Sequence, residues 1–585
     1  MLFHHNGYVS EDPRVLPDNR QFPEELPDEM DVLIVGSGPA GMIAAASLSM
    51  FPNVHTRIIE KRPHRLELGQ ADGIQSRSVE TFQAFGFANE IIDEAYEITE
   101  MAFWRSDETG GIVRGERPID DEHGISEFPH LIVNQARVLD YFARYMLRSP
   151  SRMKPDYGWE FVSLEVDRED SHPVHVTVTD GQQERVIKTK YLVGADGAKS
   201  KVRKSIGRKL AGQSANHAWG VMDVCVDTDF PDWRTKCAIH SQAGSILHIP
   251  REGGFLCRIY VDLGEVPEGS DIRKTPLEDV IEKANQIYAP YSIDVKEVAW
   301  HSIYEVAHRL VDGFDDDPED PRIFLTGDAC HTHSAKAGQG MNVSMQDGFN
   351  IAWKLGHVLD GRAPQELLKT YGTERQPAAQ NLIDFDKEWS SLMADPNATQ
   401  EVADYYVEAE AFAAGMMTEY SQNLVVSDTA HQDLATGFPV GRRFKSAIAT
   451  RRCDARKLHL GHEHQADGRW RIYAFADTDK TKLNEWAKSF NLPVDFADIK
   501  VIYQQPCHDI EVLDAPELFR PKVGTLNIPM WENVWTGEDI FAERGISRDG
   551  AVVVVRPDQY VAGVFPLDES VENFFKRLRD PQTVE

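Results

Sequence analysis

The first regular pattern of apolar and polar positions begins near residue 30. Residues 30–51 read MDVLIVGSGPAGMIAAASLSMF, where the apolar run from Val32 to Val35 meets a glycine-rich turn and then a stretch of small, helix-compatible residues. A second apolar run, HTRIIEKR, follows at residues 55–62. Strand, turn, helix and strand in this order predict the first unit of a doubly wound parallel sheet.

The rest of the chain shows four further patterns of apolar and polar residues. KYLVGADG at residues 190–197 and RIFLTGD at residues 322–328 predict strands that end on an Asp beside a Gly. Residues 218–310 consist of short apolar runs separated by turns, which predict a mostly antiparallel sheet with one helix at 276–290 packed against it. Residues 339–415 are expected to be mainly helical, and the last block, from about residue 430, forms a separate α/β domain.

Composition narrows the class of protein. A chain of 585 residues is too long for one core and predicts several domains. Its net charge of −32 argues against binding nucleic acid or an anionic membrane, and no run of 18 apolar residues predicts a membrane span. The six cysteines include no CxxC pair, which favours free thiols in a reducing compartment, the cytoplasm. The start of the chain, Pro-rich and acidic over residues 10–30, is expected to form a surface arm and not a signal peptide.

The glycine-rich turn is a candidate dinucleotide-binding loop. Gly36, Gly38 and Gly41 have the GxGxxG spacing, follow a strand and open a helix, and Glu60 stands at the end of the next strand. Such glycines permit a tight turn and close approach to a pyrophosphate, the helix N-terminus offers free N–H groups, and the acid accepts ribose hydroxyls. This pattern predicts a dinucleotide without deciding between FAD and NAD.

The stretch TGDACHTHS at residues 326–334 has two interpretations. Asp328, Cys330, His331 and His333 are metal-ligating residue types, but they follow one another on a turn and do not converge from one face. Alternatively, Asp328 at a strand end binds the sugar chain of an extended cofactor, and the helix at 338–355 directs its N-terminus at a flavin ring. The second interpretation is preferred, so the sequence predicts FAD and no metal.

Three ordered segments carry a family resemblance. GSGPAG with its distant Glu60, YLVGADGAKSKVR, and RIFLTGDACHTHSAKAGQGMN resemble the single-component FAD-dependent aromatic hydroxylases over nearly the whole chain. The resemblance is closest to the branch of phenol 2-monooxygenases and 3-hydroxybenzoate 4-hydroxylases, with the latter nearer. One departure is Ala335, where the branch usually has Pro.

The resemblance implies the cofactor contacts. The AMP half of FAD is expected near the first glycines and Glu60, Asp196 near both FAD and the NAD(P)H docking site, and Asp328 on the ribityl chain. The full set of expected contacts is Gly36, Ser37, Gly38, Pro39, Ala40, Gly41, Glu60, Lys61, Gln70, Arg77, Gln135, Asp196, Asp328, Gly338, Gly340, Met341 and Asn342.

The resemblance also implies the chemistry. NADPH or NADH reduces the flavin, O2 then forms a flavin hydroperoxide, and the ring of a phenol attacks its distal oxygen. A group must therefore accept or share the phenol proton, and water must be excluded. Asp72 and Tyr260 resemble the residues that orient and activate the ring hydroxyl, and Arg251 resembles an arginine near the flavin.

His130 and Lys236 bear on substrate identity. They resemble the positions that 3-hydroxybenzoate enzymes use around the ring carboxylate, where local positive charge is needed in so acidic a protein. The alternative is structural, because a lysine at a strand start is usually solvated and a histidine after Pro usually lies in a loop.

The resemblance gives the domain organisation. We expect an N-terminal arm (1–30), a Rossmann-like FAD-binding domain (31–217 and 311–415), an inserted antiparallel-sheet substrate domain (218–310), and a thioredoxin-like C-terminal domain (416–585). The last lacks a redox CxxC motif, since Cys453 and Cys507 are far apart in sequence, and it is expected to serve dimerisation or stability.

The function predicted is an NAD(P)H- and O2-dependent flavin monooxygenase that converts 3-hydroxybenzoate to protocatechuate. The main alternative is a phenol 2-monooxygenase that makes catechols from uncharged phenols, and a further one hydroxylates a bulkier phenol in a secondary-metabolite pathway. A flavin-binding regulator or scaffold and a pure NAD dehydrogenase are disfavoured. The expected partners are a small phenolic substrate, O2 and a second copy of the chain, with no nucleic acid and no membrane.

Overall fold

The structure is a computed structural model. It describes residues 14–16, 23–121, 123–266, 271–333, 338–394, 405, 407–490, 492–523 and 527–579. Ala335 lies outside this part of the chain, as do most residues of the predicted N-terminal arm.

The helices and strands up to residue 205 build most of the first sheet and its helices. They are β1 (Glu29–Val35), α1 (Pro39–Leu48), β2 (Thr56–Glu60), β3 (Gly73–Ile74), α2 (Ser76–Ala84), α3 (Ala88–Glu94), β4 (Tyr96–Ile98), β5 (Met101–Ser106), β6 (Ile112–Arg114), β7 (His130–Ile132), α4 (Gln135–Arg148), β8 (Asp156–Tyr157), β9 (Glu160–Val166), β10 (Val174–Thr179), β11 (Glu184–Gly194) and α5 (Lys201–Ser205).

The middle of the chain contributes the long strands of the second sheet and two long helices. These elements are β12 (Leu210–Thr228), β13 (Lys236–Ser241), β14 (Gly244–Pro250), β15 (Cys257–Glu265), α6 (Leu277–Tyr288), β16 (Ile293–Val311), β17 (Ile323–Leu325), β18 (His331–Thr332), α7 (Gly340–Leu359) and α8 (Thr370–Ala394).

The remaining elements belong mainly to the C-terminal domain. They are α9 (Glu410–Ala413), β19 (Ile448–Arg451), β20 (Arg456–His459), β21 (Trp470–Phe475), α10 (Thr481–Ser489), β22 (Ala497–Tyr503), β23 (Lys522–Val523), β24 (Ile528–Pro529), β25 (Val534–Thr536), α11 (Glu538–Glu543), β26 (Ala551–Val555), β27 (Val561–Phe565) and α12 (Glu572–Arg579).

The first sheet confirms the predicted doubly wound unit. Its order is β8-β2-β1-β11-β10-β9, with β17 also paired to β11. The pairs β1–β2, β1–β11, β2–β8 and β11–β17 are parallel, and β9, β10 and β11 form an antiparallel edge. Helices α1 and α7 pack on each other beside this sheet. Gly327, two residues after β17, lies against Ala40 in the first turn of α1 and Ser344 near the start of α7, so both helices begin near the carboxyl ends of the parallel strands.

The second sheet extends beyond the predicted boundaries. Its order is β18-β16-β12-β15-β14-β13-β5-β6, so β5 and β6, from residues 101–114, join strands of the 218–310 region. The edge pair β5–β13 is parallel, whereas β12 to β16 pair antiparallel. The predicted helix 276–290 is α6, whose buried face covers one side of this sheet. The apolar pattern identified these strands but not their distant partners.

The C-terminal domain is built on its own sheet, of order β20-β19-β25-β22-β21-β26-β27. The pairs β21–β22 and β22–β25 are parallel, and β26 and β27 continue the sheet in antiparallel fashion. Helices α10 and α12 contribute apolar residues to the core on one side. A separate α/β domain was predicted here, and its thioredoxin-like character stays a prediction.

Within the described residues, none of the helices is both long and apolar enough to cross a membrane.

Candidate active site

The glycine-rich turn between β1 and α1 has the close contacts that its spacing predicts. Gly36 has a φ of +105°, and a Cβ placed there would lie 2.4 Å from the carbonyl oxygen of Ala195. A Cβ on Gly41 would lie 2.0 Å from the carbonyl oxygen of Gly36. A Cβ on Gly38, in contrast, would meet no atom within 4 Å. The turn therefore packs tightly on its protein side and leaves an open approach where a phosphate would meet the α1 N-terminus.

Glu60 at the end of β2 is held as a charged acceptor beside this turn. Its Oε2 accepts hydrogen bonds from the N–H and the hydroxyl of Ser37, both at 3.0 Å, and its Oε1 accepts one from the N–H of Arg62 at 3.0 Å. Burial alone raises the pKa of Glu60, but the hydrogen bonds from Arg62 and Ser37 outweigh it and the pKa lies below its usual range. The neighbouring Lys61 is exposed.

The acid of the GADG segment caps a short helix. Asp196 follows β11, and its Oδ2 accepts hydrogen bonds from the N–H groups of Lys201 at 2.6 Å and Val202 at 3.1 Å. Its Oδ1 accepts a hydrogen bond from the hydroxyl of Ser200. These bonds give Asp196 a structural role at the α5 N-terminus, and its part in cofactor docking stays a prediction.

In the described part of the TGDACHTHS turn, residues 326–333, the metal-ligating side chains do not converge on one point. Asp328 is exposed, whereas the ring of His331 is buried and lies with Nε2 2.8 Å from Asp347 Oδ2 of α7. Asp347 also accepts the Gly327 N–H at 3.1 Å, which fixes the turn against that helix. In the part of the chain that the structure describes, Asp328, Cys330, His331 and His333 do not lie close enough to share one ion. Asp328 is thus the group that this turn presents outward, as a sugar-binding acid requires.

The start of α7 is joined to the β3 region by one side chain. Asn342 Oδ1 accepts the Gln75 N–H at 3.0 Å, and its Nδ2 donates to the carbonyl oxygens of Gly73 at 3.0 Å and Gly338 at 2.7 Å. Met341 beside it is buried. The backbone around Gly340 also lies close to the His333 ring, since a Cβ there would be 3.1 Å from Cε1.

The residues above fit FAD. An open glycine turn at a helix N-terminus suits the pyrophosphate, the ionised Glu60 suits a ribose, and the exposed Asp328 suits a polyol. The α7 N-terminus, fixed by Asn342, suits the ring system, on which negative charge gathers upon reduction.

Gln135 and Gln70 are two further predicted cofactor contacts, and their surroundings differ. Gln135, at the start of α4, accepts through Oε1 the N–H groups of Gln70 at 3.2 Å and Ala71 at 3.3 Å, so it shapes the loop that leads to Asp72. Gln70 itself is exposed.

Arg77 is buried but turned to the C-terminal domain. Its Nη1 donates to Gln559 Oε1 at 2.8 Å and to Thr81 at 3.0 Å, and its Nη2 donates to the Asp558 carbonyl oxygen at 3.1 Å. The hydrogen bonds of its guanidinium therefore join two domains, and contact with the flavin stays a prediction for this residue.

A buried cluster of charges surrounds Asp72. Arg258 donates from Nε and Nη2 to the two oxygens of Asp223, at 2.6 and 2.8 Å, and Arg251 donates to Asp223 Oδ2 at 2.9 Å. Asp72 Oδ2 lies 3.2 Å from Arg258 Nη1 and 3.6 Å from Arg251 Nη1. That oxygen accepts no hydrogen bond from the described residues. Asp72 is thus a buried carboxylate with positive charge beside it and an oxygen that can accept a hydrogen bond from a ligand.

Tyr260 follows Arg258 by two residues on β15 and shares its face of the sheet. Burial, reinforced by the charge of Asp72, raises the pKa of Tyr260 to about 12. The hydroxyl therefore stays protonated at neutral pH, able to donate as well as accept. The face of Trp300 on β16 lies 4.9 Å from the Arg258 guanidinium and closes this end of the cluster.

An apolar surface extends from Tyr260 across the sheet. In register, Tyr260 on β15 pairs with Leu247 on β14, which pairs with Ala238 on β13. The cluster on this face is completed by residues of four other strands and by Ile249, and it comprises Ile98, Met101, Phe103, Ile132, Trp219, Val221, Ala238, Leu247, Ile249 and Tyr260. Side chains from α8 and Tyr405 pack against it from outside. Such a surface can hold an aromatic ring away from water.

His130 and Lys236 meet at the far side of this surface, with Asp120 between them. Lys236 is two residues before Ala238, so its side chain shares that face. His130 Nδ1 lies 3.0 Å from Asp120 Oδ2, and Lys236 Nζ lies 3.9 Å from Asp120 Oδ1. Burial lowers the pKa of Lys236, and the charge of Asp120 opposes part of that shift. His130 also contacts the amide of Gln75, with 3.3 Å between their nitrogens.

Sequence reasoning missed Asp120, Asp223 and Arg258. Asp223 and Arg258 had a signal, because each is a charged residue inside an apolar strand, where burial requires a partner of opposite sign. Asp120 had none, since it stands in a polar stretch before β7.

Two protein-family models together match most of this chain. The family model described as "FAD binding domain" matches residues 29–386, and "Phenol hydroxylase, C-terminal dimerisation domain" matches residues 418–583. A 3-hydroxybenzoate 4-monooxygenase from Comamonas testosteroni is 43% identical over 97% of this chain and 98% of its own length. This chain belongs to the single-component FAD-dependent aromatic hydroxylases.

Other members of the family are more distant. An FAD-dependent monooxygenase from Aspergillus terreus is 37% identical over 94% of this chain and 97% of its own. A phenol 2-monooxygenase from Aspergillus fumigatus is 32% identical over 95% and 98%. Among solved structures, aklavinone-11 hydroxylase with FAD and aklavinone has a TM-score of 0.71 at 20% identity, covering 95% of this chain and 98% of that one. The hydroxylase is therefore an FAD-dependent monooxygenase with the fold of the aromatic hydroxylases.

Proposed function

We propose that this flavin hydroxylase converts 3-hydroxybenzoate to protocatechuate with NAD(P)H and O2. The observation that carries the proposal is the largely buried cation of Lys236, whose side chain is 12% exposed, on the sheet face that also bears Tyr260, with apolar residues between them. Strand β13 lies two strands from β15, roughly 10 Å away at the usual strand spacing. The 43% identity to a 3-hydroxybenzoate 4-monooxygenase supports the same substrate.

In this proposal different residues of the protein bind different parts of FAD. Glu60 binds the AMP ribose, the α1 N-terminus the pyrophosphate, and Asp328 the ribityl chain, with Asn342 and Met341 beside the ring. When bound, FAD takes electrons from NAD(P)H and activates O2 for transfer of one oxygen atom to the ring. The apolar surface keeps water from the reacting centre.

The substrate hydroxyl lies between Tyr260 and Asp72. The Tyr260 hydroxyl, kept protonated by burial, donates a hydrogen bond to the phenol oxygen. Asp72 Oδ2, which accepts no hydrogen bond from the described residues, accepts the phenol proton and thereby raises the electron density of the ring. Arg258 and Arg251 stabilise the charge on Asp72 until that proton arrives.

The substrate carboxylate is bound by Lys236 and His130. Asp120 already provides one negative charge there, so the added carboxylate is balanced when His130 is protonated and Lys236 is charged. Asp120 then acts as a positioning residue that orients both cations toward the substrate.

The second candidate function is hydroxylation of an uncharged phenol at the 2-position. Asp120 favours it, because a carboxylate of the protein already accompanies both cations. In that case Lys236, Asp120 and His130 form a structural unit that contributes no substrate binding.

The test is coupled turnover of the FAD-loaded protein with 3-hydroxybenzoate and with phenol in parallel, in NADPH and in NADH, with chromatographic identification of products. We expect protocatechuate from 3-hydroxybenzoate, with reductant consumed in equal amount. Catechol from phenol with 3-hydroxybenzoate inert would replace the first candidate with the second.

We also propose that two copies associate through the C-terminal domain, as its match to a dimerisation family supports. Light scattering on the purified protein tests this, and a mass of about 66 kDa, that of one chain, would contradict it.

A further inference from the structure

A group of metal-ligating side chains outside the candidate active site lies between the first domain and the C-terminal domain. Glu127 belongs to the segment before β7, His459 ends β20, and His462 lies in the turn that follows it. Among the described residues, these three form the one group of at least three such side chains whose ligand atoms all lie within 4.8 Å of one another.

The distances match a shared ion. Glu127 Oε1 lies 3.0 Å from His462 Nε2 and 3.7 Å from His459 Nδ1. Nitrogen and oxygen ligands at about 2.0–2.1 Å from a tetrahedral Zn²⁺ are separated from each other by about 3.3 Å. The two observed distances lie on either side of that value, so small side-chain rotations bring all three atoms to ligand distance.

Two features indicate that an ion completes this group. The Nδ1 atom of His459 is buried and makes no hydrogen bond within the described residues, although the Glu127 carboxylate is near. The ring of His462 is held by stacking, with centroids 4.9 Å from Phe128 and 4.9 Å from His459. A buried nitrogen without a partner beside a carboxylate and a second, oriented imidazole is the arrangement of an incomplete metal site.

The group has access to solvent and room for a further ligand. It lies at the wall of a cleft of about 640 Å³ between the two domains, to which Glu127 and His459 both contribute. The side chains of Cys507 and Glu543 line the same cleft. Water from this cleft can supply a fourth ligand, as in zinc sites with three protein ligands.

We propose that Glu127, His459 and His462 bind one Zn²⁺ ion that links the segment before β7 to the C-terminal domain. Two imidazoles and one carboxylate suit Zn²⁺ better than Ca²⁺ or Mg²⁺, which take oxygen ligands. The sequence predicts no metal, because the carboxylate is more than 300 positions from the histidines and no local spacing reveals it. Since His130 follows Glu127 by three residues, the ion also restrains the segment that carries His130.

The test uses FAD-loaded protein without an affinity tag, dialysed against a chelator and then titrated with Zn²⁺ in a calorimeter. We expect one ion bound per chain. His462→Ala and Glu127→Gln should each weaken binding by at least about tenfold, a loss that even outer partners of metal ligands cause. His431→Ala is the matched control, because His431 Nε2 lies 3.3 Å from Glu569 with similar exposure but belongs to no such group.

X-ray absorption at the zinc edge of the wild-type complex gives a second measurement that does not depend on the variants. Two imidazole nitrogens and oxygen ligands at about 2.0–2.2 Å are expected. The proposal is overturned if no stoichiometric binding occurs, if the control loses as much affinity as the ligand variants, or if the spectrum contains fewer than two imidazoles. None of these outcomes depends on which aromatic compound is hydroxylated.

Discussion

The two charged ends of the candidate substrate surface are built in different ways. At the Tyr260 end, Arg251 and Arg258 share Asp223 at 2.6–2.9 Å, and both guanidinium groups are completely buried. At the other end, Asp120 lies 3.0 Å from His130 and 3.9 Å from Lys236.

From this difference we infer a structural role for the Tyr260 end and a substrate-binding role for the Lys236 end. The first group compensates its charges within the protein and holds Asp72 in place, so its loss should affect folding. The second joins His130 and Lys236 through the single carboxylate of Asp120, and it is the end at which we propose that the substrate carboxylate binds. We therefore expect substitutions at the first end to change stability or kcat, and substitutions at the second to change KM.

The largest effect is expected from Arg258→Met. Removing one guanidinium leaves buried carboxylates without full compensation, which costs about 3–5 kcal/mol in free energy of unfolding. Chemical denaturation of the FAD-loaded protein measures this change. Lys488→Met is the control, since its pair with Glu485 is exposed and should contribute less than about 1 kcal/mol. An Arg258 variant as stable as the control would mean that the buried cluster does not hold the site together.

Tyr260→Phe is expected to lower kcat by about 100-fold with FAD content unchanged, because a positioned proton donor and acceptor contributes about 10²–10⁴-fold. Steady-state turnover with 3-hydroxybenzoate measures it. Tyr96→Phe is the matched control, since the Tyr96 hydroxyl donates to the Arg234 carbonyl oxygen beside the same apolar surface. Equal losses in the two variants would assign the effect to packing and not to the hydroxyl.

Lys236→Met is expected to raise KM for 3-hydroxybenzoate by about 10- to 100-fold, as loss of a hydrogen bond to a charged group costs about 1.5–3 kcal/mol. KM for phenol should stay unchanged. Parallel kinetics with both compounds decide the matter. A similar rise for both would remove the carboxylate role from this residue.

The smallest effect is a dependence on pH. Burial lowers the pKa of Lys236, so in the folded protein the neutral amine appears at a lower pH than for an ordinary lysine. KM for 3-hydroxybenzoate should rise as pH increases through that lowered pKa. Over the same window the unfolded chain binds more protons than the folded one, so this group makes stability increase with pH.

Lys236→Arg sharpens this test, because a guanidinium stays charged to above about pH 12. The alkaline rise of KM should disappear in this variant. If the rise persists, another group is responsible, and Lys236 does not bind the carboxylate in its charged form.

The local geometry of the candidate dinucleotide-binding turn could be predicted from short segments. Gly36, Gly41 and Glu60 lie where the GxGxxG spacing requires, because the contacts of that turn involve residues close in sequence or at adjoining strand ends. Tyr260 on β15 and Lys236 on β13 lie on the same face of the second sheet. The pairing of β5 with β13, which places Met101 beside Lys236, was missed because alternation along a strand gives its faces and not its neighbour.

By itself the sequence determined the strand–turn–helix that opens the FAD-binding domain, the acid at the end of β2, and the kinds of elements in each domain. Only the tertiary structure decided which charged and polar side chains meet. The pairs are Arg258 with Asp223, Asp120 with His130 and Lys236, Arg77 with Gln559, and Glu127 with His459 and His462. The reason is physical. Hydrophobic periodicity and turn glycines act over a few residues, whereas a buried charge needs a partner of opposite sign wherever the chain brings one, and that position is set by the packing of whole sheets and domains.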